Sequence, residues 1–549
     1  MILFIKLIPT GIENFKELID KNAYYVDKTK LIANCINEKC ILYTRPRRFG
    51  KTLNMSMLYY FFSNKEKENA YLFNNLNISH NQEAMKHQNK YPTLFITLKD
   101  MKRLNLKDQQ KMFRTQIALC AKKYIELLDS PFLLDEEKKQ FNLYINEKID
   151  LDELSNSLLN LSNYLYKHYH QKVIILVDEY DVPLQTAYQN GYYEEMVDFI
   201  RIISSSALKT NDALEKGILT GCLRISKESI FTGLNNFTIN SIFDYSGSHH
   251  FGFTPNEVDH LLNYYKLSNY KEEIKEWYDG YLFGDQEIYN PWSTLMYIKD
   301  KTNNIKYQPT SYWANTSSNK IVMDYIQRGS PKLREEFELL VNGQTITKTI
   351  KPELTYREMD DIDNIYSFLL LTGYLKVVKP IDYNEYELII PNREVLEIYK
   401  QSFLTFFSHF TRERKNTLYT YLVEGKTKEA NQLLNEILAK SISYYDNKES
   451  FYHDFLIGLF NDYSIQTNKE SGNGRFDIQI QPDTIFGTLL QIECKHSVRL
   501  NDLIIDAKEG INQIIKNGYL EDPNLAIYEN KIAYSISIYK KQCYILKVE

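Results

Sequence analysis

Residues 40–52 read CILYTRPRRFGKT, and this stretch decides the fold of the N-terminal half of the chain. The apolar run Cys40–Thr44 has the length and composition of a buried β-strand. It leads into the sequence G-K-T, and a helical stretch, Leu53–Phe62, follows. A strand, a glycine-containing loop and a helix in this order are typical of a phosphate-binding P-loop. The sequence therefore predicts a nucleotide-phosphate site at the end of this strand.

The residues at the end of the loop fit this chemistry. Gly50 allows backbone N–H groups to approach phosphate oxygens, Lys51 neutralises the β- and γ-phosphates, and Thr52 is expected to ligate Mg²⁺. The pattern G-x-x-x-x-G-K-[ST] requires a glycine at position 45, where this chain has Arg45. Because G-K-T alone is a weak signal, the prediction needs support from a second motif.

The second motif is the apolar run Val173–Val177, which ends in Asp178 and Glu179 and has the form of a Walker B strand. We expect Asp178 to hold Mg²⁺ through water and Glu179 to orient or deprotonate the attacking water. The alternative is a buried strand that ends in solvated acids. Two matched motifs in the right order favour nucleotide binding.

A third strand, Gly217–Gly221, adds a candidate polar sensor, Thr220, and a candidate γ-phosphate contact, Arg224, although a surface arginine on a turn is the alternative. Arg47 and Arg48 are placed to meet phosphate or a partner subunit, and pairing with acids is equally compatible. With ATP as the cofactor, the predicted binding residues are Arg47, Arg48, Phe49, Gly50, Lys51, Thr52, Asp178 and Arg224.

Residues 474–495 read GRFDIQIQPDTIFGTLLQIECK and contain a second constellation of charged residues. The first of two predicted strands carries Asp477, and the second carries Glu493 and Lys495. Because alternate residues of a strand share a face, Glu493 and Lys495 lie together and Cys494 lies opposite. An antiparallel pairing that brings Asp477 beside them makes a carboxylate pair next to an ammonium group. The strands are predicted at Phe476–Ile480 and Thr488–Cys494.

Such a carboxylate pair suits Mg²⁺ or Mn²⁺. The metal would activate water and hold the scissile phosphate of a nucleic acid, while Lys495 offsets the charge of the transition state, as in a metal-dependent nuclease. Glu449 and His453 lie i, i+4 on a predicted helix; Glu449 would complete the metal site, and His453 is expected to be structural or to face DNA. Gln513, on the next helix, is expected to bind water or backbone near the metal. The alternative is a strand pattern that recurs by chance.

Across both sites, the predicted metal ligands are Thr52, Asp178, Glu449, Asp477, Glu493 and the carbonyl of Cys494. The predicted catalytic residues are Glu179, Asp477, Glu493 and Lys495.

The chain as a whole predicts an α/β fold. In the first half, short apolar runs alternate with amphipathic stretches, which predicts a P-loop NTPase domain with a parallel sheet. The middle is mostly helical and includes a winged-helix-like module, in which a helix at Asp361–Leu371 leads through Gly373 into two strand-like runs, Tyr374–Val378 and Glu387–Ile390. The predicted domains are a P-loop domain at 1–254, a helical domain at 255–345, a winged-helix-like and helical connector at 346–445 and a nuclease-like domain at 446–549.

The chain resembles the bacterial AAA-ATPase-like proteins that carry a C-terminal PD-(D/E)XK nuclease domain. The resemblance extends from near residue 8 to about residue 523, and Arg45 in place of the first P-loop glycine is usual in that family. The segments that carry it are IPTGIENFKELI, YYVDKTKLI, TRPRRFGKT, ILVDEYDVP, LTGCLRISKESIFTGLNN, FGFTPNEV, WYDGYLFG, IYNPWS, YWANTSSN, LLLTGYLK, IPN-R-EV, ESFYHDFL, GNGRFDI, QIECK and NGYLED.

The resemblance implies an AAA-ATPase-like domain at the N-terminal end and a restriction-endonuclease-like domain at the C-terminal end. It assigns Gly50, Lys51 and Thr52 to the phosphate loop and Asp178 with Glu179 to Walker B. It assigns Asp477, Glu493 and Lys495 to the nuclease core. A further family signature contains Asp27 and Lys28, for which we expect contact with the adenine side of the nucleotide.

Three functions remain open from the sequence. The first is an ATP-dependent or ATP-regulated, Mg²⁺-dependent nuclease that cuts DNA, in defence against foreign DNA. The second is a nucleotide-switched DNA-binding or regulatory protein with a weak or unused nuclease core, and an ATPase that drives self-assembly of a scaffold is a third. The intact D…ExK pattern favours the first.

Charge and cysteine content set limits on the partners. The chain has 66 Lys and Arg against 71 Asp and Glu, a net charge of -5, which excludes coating of nucleic acid by bulk charge. We therefore expect DNA to be held by metal and by local basic clefts, and a homo-oligomer to form through the ATPase domain. Six scattered cysteines and no long apolar run predict a cytoplasmic protein without a membrane segment. The candidate basic residues are Arg357, Lys376, Lys379 and Arg393.

Overall fold

The chain folds into two compact units. The computed structural model describes residues 5–548 except 225–236, 314–330, 362–363, 409–411, 442–448, 461, 468–469, 472–473, 476, 483 and 522. The first unit comprises Met1–Asn315 and Thr345–Leu396, and the second comprises Thr316–Gln344 and Glu397–Glu549. The finer division into four domains stays a prediction.

The first unit is built on a parallel five-stranded sheet, as predicted for the N-terminal half. The strand order β2-β3-β4-β1-β5 places β4 between the strand before the P-loop and the strand that ends in Asp178. The strands are buried on both faces, which explains why they read as continuous apolar runs. Their bounds are β1 Cys40–Thr44, β2 Thr93–Thr97, β3 Val173–Asp178, β4 Leu214–Gly221 and β5 Phe237–Asn240.

Helices connect these strands and continue through the middle of the chain. The α-helices of the first unit are Phe15–Asp20, Lys30–Ile36, Lys51–Phe62, Gln82–Met85, Leu106–Lys122, Asp135–Ile145, Leu151–Ser155, Ser157–Tyr169, Val182–Asn190, Tyr193–Leu208, Pro255–Tyr264, Lys271–Tyr278, Pro291–Asn303 and Ile365–Thr372. Short 3₁₀ helices cover Asn64–Phe73, Asn77–His80, Ile125–Asp129, Ser268–Tyr270 and Arg357–Asp360. A two-stranded ribbon pairs β6 Tyr281–Phe283 with β7 Gln286–Ile288.

A helix followed by a hairpin is present where the winged-helix-like module is predicted. The Ile365–Thr372 helix ends at Gly373, whose φ of 91° is the left-handed conformation that a glycine cap adopts without strain. The hairpin strands after this helix are β9 Lys376–Asp382 and β10 Glu385–Ile389. β8 Ile346–Thr349, which precedes the helix, pairs with β10 and completes an antiparallel sheet in the order β8-β10-β9.

The second unit contains a mixed five-stranded sheet in the order β11-β14-β15-β16-β17. β15 and β16 run parallel, and the Leu503–Asn517 helix connects them, while the other neighbours are antiparallel. The strands are β11 Ser464–Thr467, β12 Glu470–Ser471, β13 Gly474–Arg475, β14 Ile478–Gln481, β15 Thr488–His496, β16 Asn530–Tyr539 and β17 Gln542–Lys547, with β12 and β13 forming a separate ribbon.

Helices cover one face of this sheet with an apolar core. Leu434 and Leu456 are among the side chains that pack against Ile478, Ile492 and other strand residues. The remaining α-helices are Pro331–Val341, Arg393–Ser408, Arg412–Val423, Thr427–Ser441 and Glu449–Leu459, and short 3₁₀ helices cover Leu500–Asp502, Tyr519–Glu521 and Pro523–Leu525.

Two further features of the fold concern the cysteines and the composition of the helices. All six cysteines are buried free thiols. Within the described residues, none of the helices is both long enough and apolar enough to cross a membrane.

Candidate active sites

The P-loop leaves β1 and enters the Lys51–Phe62 helix through two residues with positive φ. Gly50, the N-cap, has φ 83°, and Arg48 has φ 68°. Glycine adopts this backbone conformation without strain, which explains why position 50 requires it. The unpaired N–H groups of the first helical turn then face the loop, which is the arrangement that binds phosphate.

The Lys51 ammonium lies inside this loop. Its Nζ donates to the carbonyls of Arg45 and Pro46, each at 3.0 Å, and lies 3.4 Å from Cys222 Sγ. Burial lowers the Lys51 pKa, but the nearby Cys222 and Walker B acids outweigh it, so the net shift of the pKa is upward. The side chain therefore stays charged, and a bound phosphate would replace the loop carbonyls as its acceptor.

Thr52 and Asp178 meet directly, as the magnesium prediction requires. Thr52 Oγ1 donates to Asp178 Oδ2 at 2.8 Å, and Thr220 Oγ1 donates to Asp178 Oδ1 at 2.7 Å. Burial, with a contribution from Glu179, raises the Asp178 pKa. A hydroxyl at the start of the helix after the P-loop and a carboxylate at the end of the Walker B strand are the donors that P-loop NTPases offer to Mg²⁺, so these residues fit the ion.

Glu179 follows in a left-handed backbone conformation. Its φ is 55°, and its N–H points to Thr220 Oγ1 at 3.4 Å. A non-glycine residue in this region costs of order 1–3 kcal/mol and is found where the surroundings hold it in place, often at functional sites. The water-orienting role of Glu179 stays a prediction.

Arg45 is the residue that the sequence pattern could not explain. Its guanidinium is fully buried and donates to the carbonyls of Thr44 and Asn240, each at 2.8 Å, and to Asn240 Oδ1 at 2.5 Å. It also lies over the rings of Phe251 and Phe283, at 5.3 and 5.1 Å from the centroids. Arg45 therefore ties the start of the P-loop to β5, and no local sequence signal predicts this.

Asp181 is a second residue whose role no sequence motif predicts. Its Oδ2 accepts from the backbone N–H groups of Cys222 and Leu223 at 2.9 and 3.1 Å. Burial raises its pKa, and the charge of Lys51 opposes that shift. Asp181 thus holds the turn after β4 beside the Walker B strand, and its position two residues after Glu179 in D-E-Y-D was the available signal.

Arg47 and Arg48 already have protein partners. Arg47 donates to Gln185 Oε1. Arg48 donates to the Tyr312 carbonyl at 3.1 Å, and its guanidinium lies 4.6 Å from the Trp292 ring centroid. A phosphate role for either residue stays a prediction.

Phe49 and Arg224 are placed differently from the other loop residues. The Phe49 ring is buried and packs against Tyr281, with 4.9 Å between centroids, so only its backbone is available to a nucleotide. Arg224 forms an ion pair with Glu353 at 2.6 Å. Contact between Arg224 and a γ-phosphate, which would require exchange of this carboxylate, stays a prediction.

Asp27 and Lys28 also serve within the protein. Asp27 Oδ1 accepts from the Thr29 backbone and hydroxyl at 2.9 and 2.6 Å. Lys28 forms an ion pair with Glu257 at 2.6 Å and donates to the His249 carbonyl at 2.9 Å. These contacts connect the segment before β1 to the Pro255–Tyr264 helix, and an adenine contact by this pair stays a prediction.

In the second unit, the β14–β15 register brings the predicted acids to adjacent positions. Ile478 pairs with Ile492, so Asp477 and Glu493 are the next residues along the two antiparallel strands. Asp477 Oδ2 accepts from the Cys494 N–H at 2.9 Å, which fixes its carboxylate against β15. The Cys494 side chain lies in the core, as expected from its opposite face.

Lys495 lies on the Glu493 face and is held from two sides. Its Nζ is 3.2 Å from Glu493 Oε1 and donates to Gln513 Oε1 at 2.7 Å. Glu493 is only 2% exposed. Asp477, Glu493 and Lys495 therefore form one group, with Gln513 as the residue that positions the ammonium.

The contact to Gln513 depends on features that the sequence did not reveal. A Cβ at Gly510 would lie 2.1 Å from Ser535 Oγ, so this glycine lets the Leu503–Asn517 helix approach β16 closely. The Tyr519 hydroxyl accepts a hydrogen bond from Asn517 Nδ2 at 2.9 Å and lies 3.5 Å from Gln513 Nε2. His453 Nε2 lies 3.2 Å from the Asp477 carbonyl, which agrees with a structural role.

The second site offers two carboxylates to a metal. Glu449 begins the Glu449–Leu459 helix, but its side chain lies outside the described residues. In the described part of the chain, no three His, Cys, Asp or Glu side chains are grouped to hold a metal ion. Mg²⁺ commonly takes one or two carboxylates and fills its other positions with water and substrate phosphate. The donors Asp477 and Glu493 fit that mode of binding.

The folds and sites define a P-loop ATPase-like unit and, after it in the chain, a restriction-endonuclease-like unit. Comparison with known families agrees. Residues 9–231 match the family described as Predicted AAA-ATPase, and residues 447–548 match the PD-(D/E)XK nuclease superfamily. The chain thus carries an AAA-ATPase-like domain and a C-terminal PD-(D/E)XK nuclease domain, the architecture that the resemblance implied.

A bacterial protein shows similarity over most of the chain. An uncharacterised protein in the vnfD 5′ region of Azotobacter chroococcum mcd 1 is 26% identical over 405 residues. The match covers 71% of this chain and 68% of that protein.

Proposed function

We propose that this protein hydrolyses ATP in its first unit and cleaves DNA in its second, in a Mg²⁺-dependent reaction. The observation that carries the proposal is the single group formed by Asp477, Glu493 and Lys495, with Gln513 bonded to the lysine. A nuclease core without function would be free to lose this arrangement. We further propose that the substrate is foreign DNA, because a nuclease coupled to an ATPase can be restrained until its target is bound.

The ATPase chemistry follows from the residues around Asp178. Thr52 and Asp178 would hold Mg²⁺, which screens the phosphate charge, while Lys51 supplies a fixed positive charge in the loop. Glu179 accepts a hydrogen bond from the attacking water and aligns it. Thr220 keeps the Asp178 carboxylate in place through its 2.7 Å hydrogen bond.

The nuclease chemistry follows from β15. Asp477 and Glu493 would hold Mg²⁺, which activates water and polarises the scissile phosphate. Lys495 stabilises the negative charge that develops on the phosphate oxygens. Gln513 keeps the ammonium at this position through its 2.7 Å contact.

Cleavage assays with a matched variant test the proposal. Plasmid, linear duplex, single-stranded DNA and RNA are incubated with purified protein, with and without ATP and Mg²⁺. We expect DNA cleavage that requires Mg²⁺ and falls at least about 100-fold in Glu493→Ala, since a metal ligand is lost. The ATPase rate of that variant should remain unchanged.

The controls separate this proposal from the regulatory alternative. Glu509→Ala, a surface change on the Leu503–Asn517 helix, should cleave like the wild type. Equal cleavage by the wild type and Glu493→Ala would assign the activity to a contaminant and favour the regulatory function.

A further inference from the structure

Residues 99–123 form a strongly basic stretch of the ATPase-like unit. They contain eight Lys and Arg against two Asp, a net charge of +6 in a chain whose total is -5. The stretch begins directly after β2, runs through a loop at 98–105 and continues along the Leu106–Lys122 helix. A local concentration of positive charge of this size is the electrostatic signature of a phosphate-binding surface.

The loop starts next to the Walker B acid. The Leu98 N–H donates to the Asp178 carbonyl at 2.9 Å, and Thr97 Oγ1 lies 3.3 Å from Asp178 Oδ2. β2 and β3 pair in register up to Thr97 and Asp178. A ligand bound by the loop would therefore act on the backbone that supports the ATPase site.

Buried hydrogen bonds fix the course of this loop. Gln109 Nε2, fully buried, donates to the Met101 carbonyl at 3.0 Å and to the Tyr192 hydroxyl at 3.1 Å. The Tyr192 hydroxyl in turn donates to the Arg103 carbonyl. Asn105 Oδ1 caps the following helix by accepting from the Asp108 N–H at 2.9 Å. The loop thus presents its side chains from a defined backbone.

The positive side chains of the loop and the first helical turns point to solvent. Lys102, Arg103, Lys107 and Lys111 are exposed, and none of them forms an ion pair with a described carboxylate. Lys107 and Lys111 are i, i+4 and share one face of the helix. The nearest acid along the helix, Asp108, is engaged by Asn105 Nδ2 at 2.8 Å. We call these four residues the basic loop–helix surface.

The basic residues predicted from the sequence are, by contrast, mostly neutralised. Arg357 pairs with Glu194. Lys379 lies 3.2 Å from Glu387, and Arg393 lies 2.9 Å from Glu276. Because each of these cations has a carboxylate beside it, its charge adds less to the positive potential of the surface. The basic loop–helix surface is the stronger candidate.

We propose that Lys102, Arg103, Lys107 and Lys111 bind the phosphate backbone of duplex DNA. The inference rests on the proposed function, since it takes DNA as the substrate of the second unit. Lysine and arginine contacts to phosphate carry no sequence information, so this surface binds DNA of any sequence. Because the loop is bonded to Asp178, DNA bound here also stimulates ATP hydrolysis.

DNA binding by the full chain tests this assignment. Fluorescence anisotropy with a labelled duplex is measured in EDTA, without cleavage, for the wild type and for a variant with Lys102, Arg103, Lys107 and Lys111 all changed to alanine. We expect about 10- to 100-fold weaker binding near 0.1 M salt and a salt slope reduced by about 3 to 4, as loss of four phosphate contacts requires.

A matched variant controls for the loss of four charges. Lys67, Lys90, Lys209 and Lys306 are likewise exposed and form no ion pair with a described carboxylate. Their joint change to alanine should leave the affinity within about twofold of the wild type. The basal ATPase rate should be unchanged in both variants, and DNA stimulation should be lost only in the first.

The outcomes separate the inference from the proposed function. Equal loss of affinity in both variants, or in neither, would overturn the assignment of this surface. If the wild type then still cleaves DNA, the proposed function stands without it. A wild type that neither binds nor cleaves DNA would overturn both, and preferential binding of duplex RNA through these residues would overturn the choice of DNA.

Discussion

Arg45 shows how a residue that breaks a motif is accommodated by a distant contact. The guanidinium occupies the interior between β1 and β5, and its donors are satisfied by backbone carbonyls and by Asn240. Burial lowers its pKa to about 10, which still leaves it charged at neutral pH. The buried Arg45 side chain therefore fixes the backbone at the start of the P-loop, at the position where the usual pattern has a glycine.

At the residue scale, the first prediction concerns Lys51. Lys51→Ala removes the charge that faces the nucleotide phosphates, and we expect ATP turnover to fall by at least about 100-fold with the fold retained. The measurement is steady-state ATP hydrolysis together with far-UV circular dichroism. Lys67→Ala, an exposed change, is the control. An undiminished ATPase rate in Lys51→Ala would refute the assignment of this loop.

Glu394 is a buried acid that neither site uses. Its Oε1 accepts from Ser293 Oγ at 2.9 Å and from the N–H groups of Tyr312 and Trp313 at 2.8 and 2.9 Å. Its Oε2 has no hydrogen-bond partner among the described residues. Burial raises its pKa to about 7, which the three donors and Arg48 only partly offset.

The raised pKa of Glu394 predicts a pH dependence of stability. Between the ordinary glutamate pKa and about 7, the unfolded chain loses the proton and the folded chain keeps it. The free energy of unfolding should therefore fall as the pH rises from about 4.5 to about 7, by about 3 kcal/mol from this group. Urea unfolding at several pH values, followed by tryptophan fluorescence, measures it.

Glu394→Gln isolates this contribution. The amide does not titrate, so the difference between wild type and variant should grow in the direction that favours the variant as the pH rises. Glu195→Gln, at an exposed position, should show no such trend. Parallel pH curves for wild type and Glu394→Gln would contradict the expectation.

At the scale of elements, the Leu503–Asn517 helix sets the position of Gln513 through its close approach to β16. Gly510→Ala would place a methyl group 2.1 Å from Ser535 Oγ and 3.0 Å from Ser535 Cβ, so rotation of the hydroxyl relieves only part of the overlap and we expect the helix to shift. We expect a loss of about 1–3 kcal/mol in stability and a marked loss of DNA cleavage, because Gln513 moves away from Lys495. Chemical unfolding and cleavage assays measure the two effects.

A second change in the same contact tests the cause. Ser535→Ala removes the hydroxyl that the new methyl group meets, although Ser535 Cβ would still lie 3.0 Å away. The double variant Gly510→Ala, Ser535→Ala should recover part of both the stability and the cleavage. No recovery would show that the helix–sheet contact is not the cause of the loss.

At the scale of the whole molecule, the chain contains two compact units and an uneven distribution of tryptophan. All three tryptophans, Trp277, Trp292 and Trp313, belong to the first unit. Tryptophan fluorescence therefore follows the ATPase-like unit, whereas far-UV circular dichroism follows both. We expect the two probes to give different midpoints in urea, as for a chain whose units unfold separately.

Nucleotide supplies the second half of this test. MgATP binds only the folded first unit, so it should raise the fluorescence midpoint and leave the other transition in place. Lys51→Ala serves as the control in which the shift is absent. Coincident transitions that move together would show that the two units unfold as one.

Local pattern was sufficient for much of the fold and for the central site residues. The buried strands of the parallel sheet are continuous apolar runs, and their ends carry the motif residues, so Lys51, Thr52 and Asp178 were predictable from sequence. The same holds for Glu493 and Lys495, because the two-residue period of a strand places them on one face. These properties depend on near neighbours in the chain.

Tertiary structure alone decided which groups meet across long separations. The burial of Arg45 against Asn240, the three donors on Glu394 and the pairing of Arg393 with Glu276 join residues far apart in sequence. The sequence by itself therefore determined the strands, the motifs and the chemical class of each site. Only the folded structure decided which charges are paired and which remain exposed. The reason is that ion pairing depends on distance in space and not on distance along the chain.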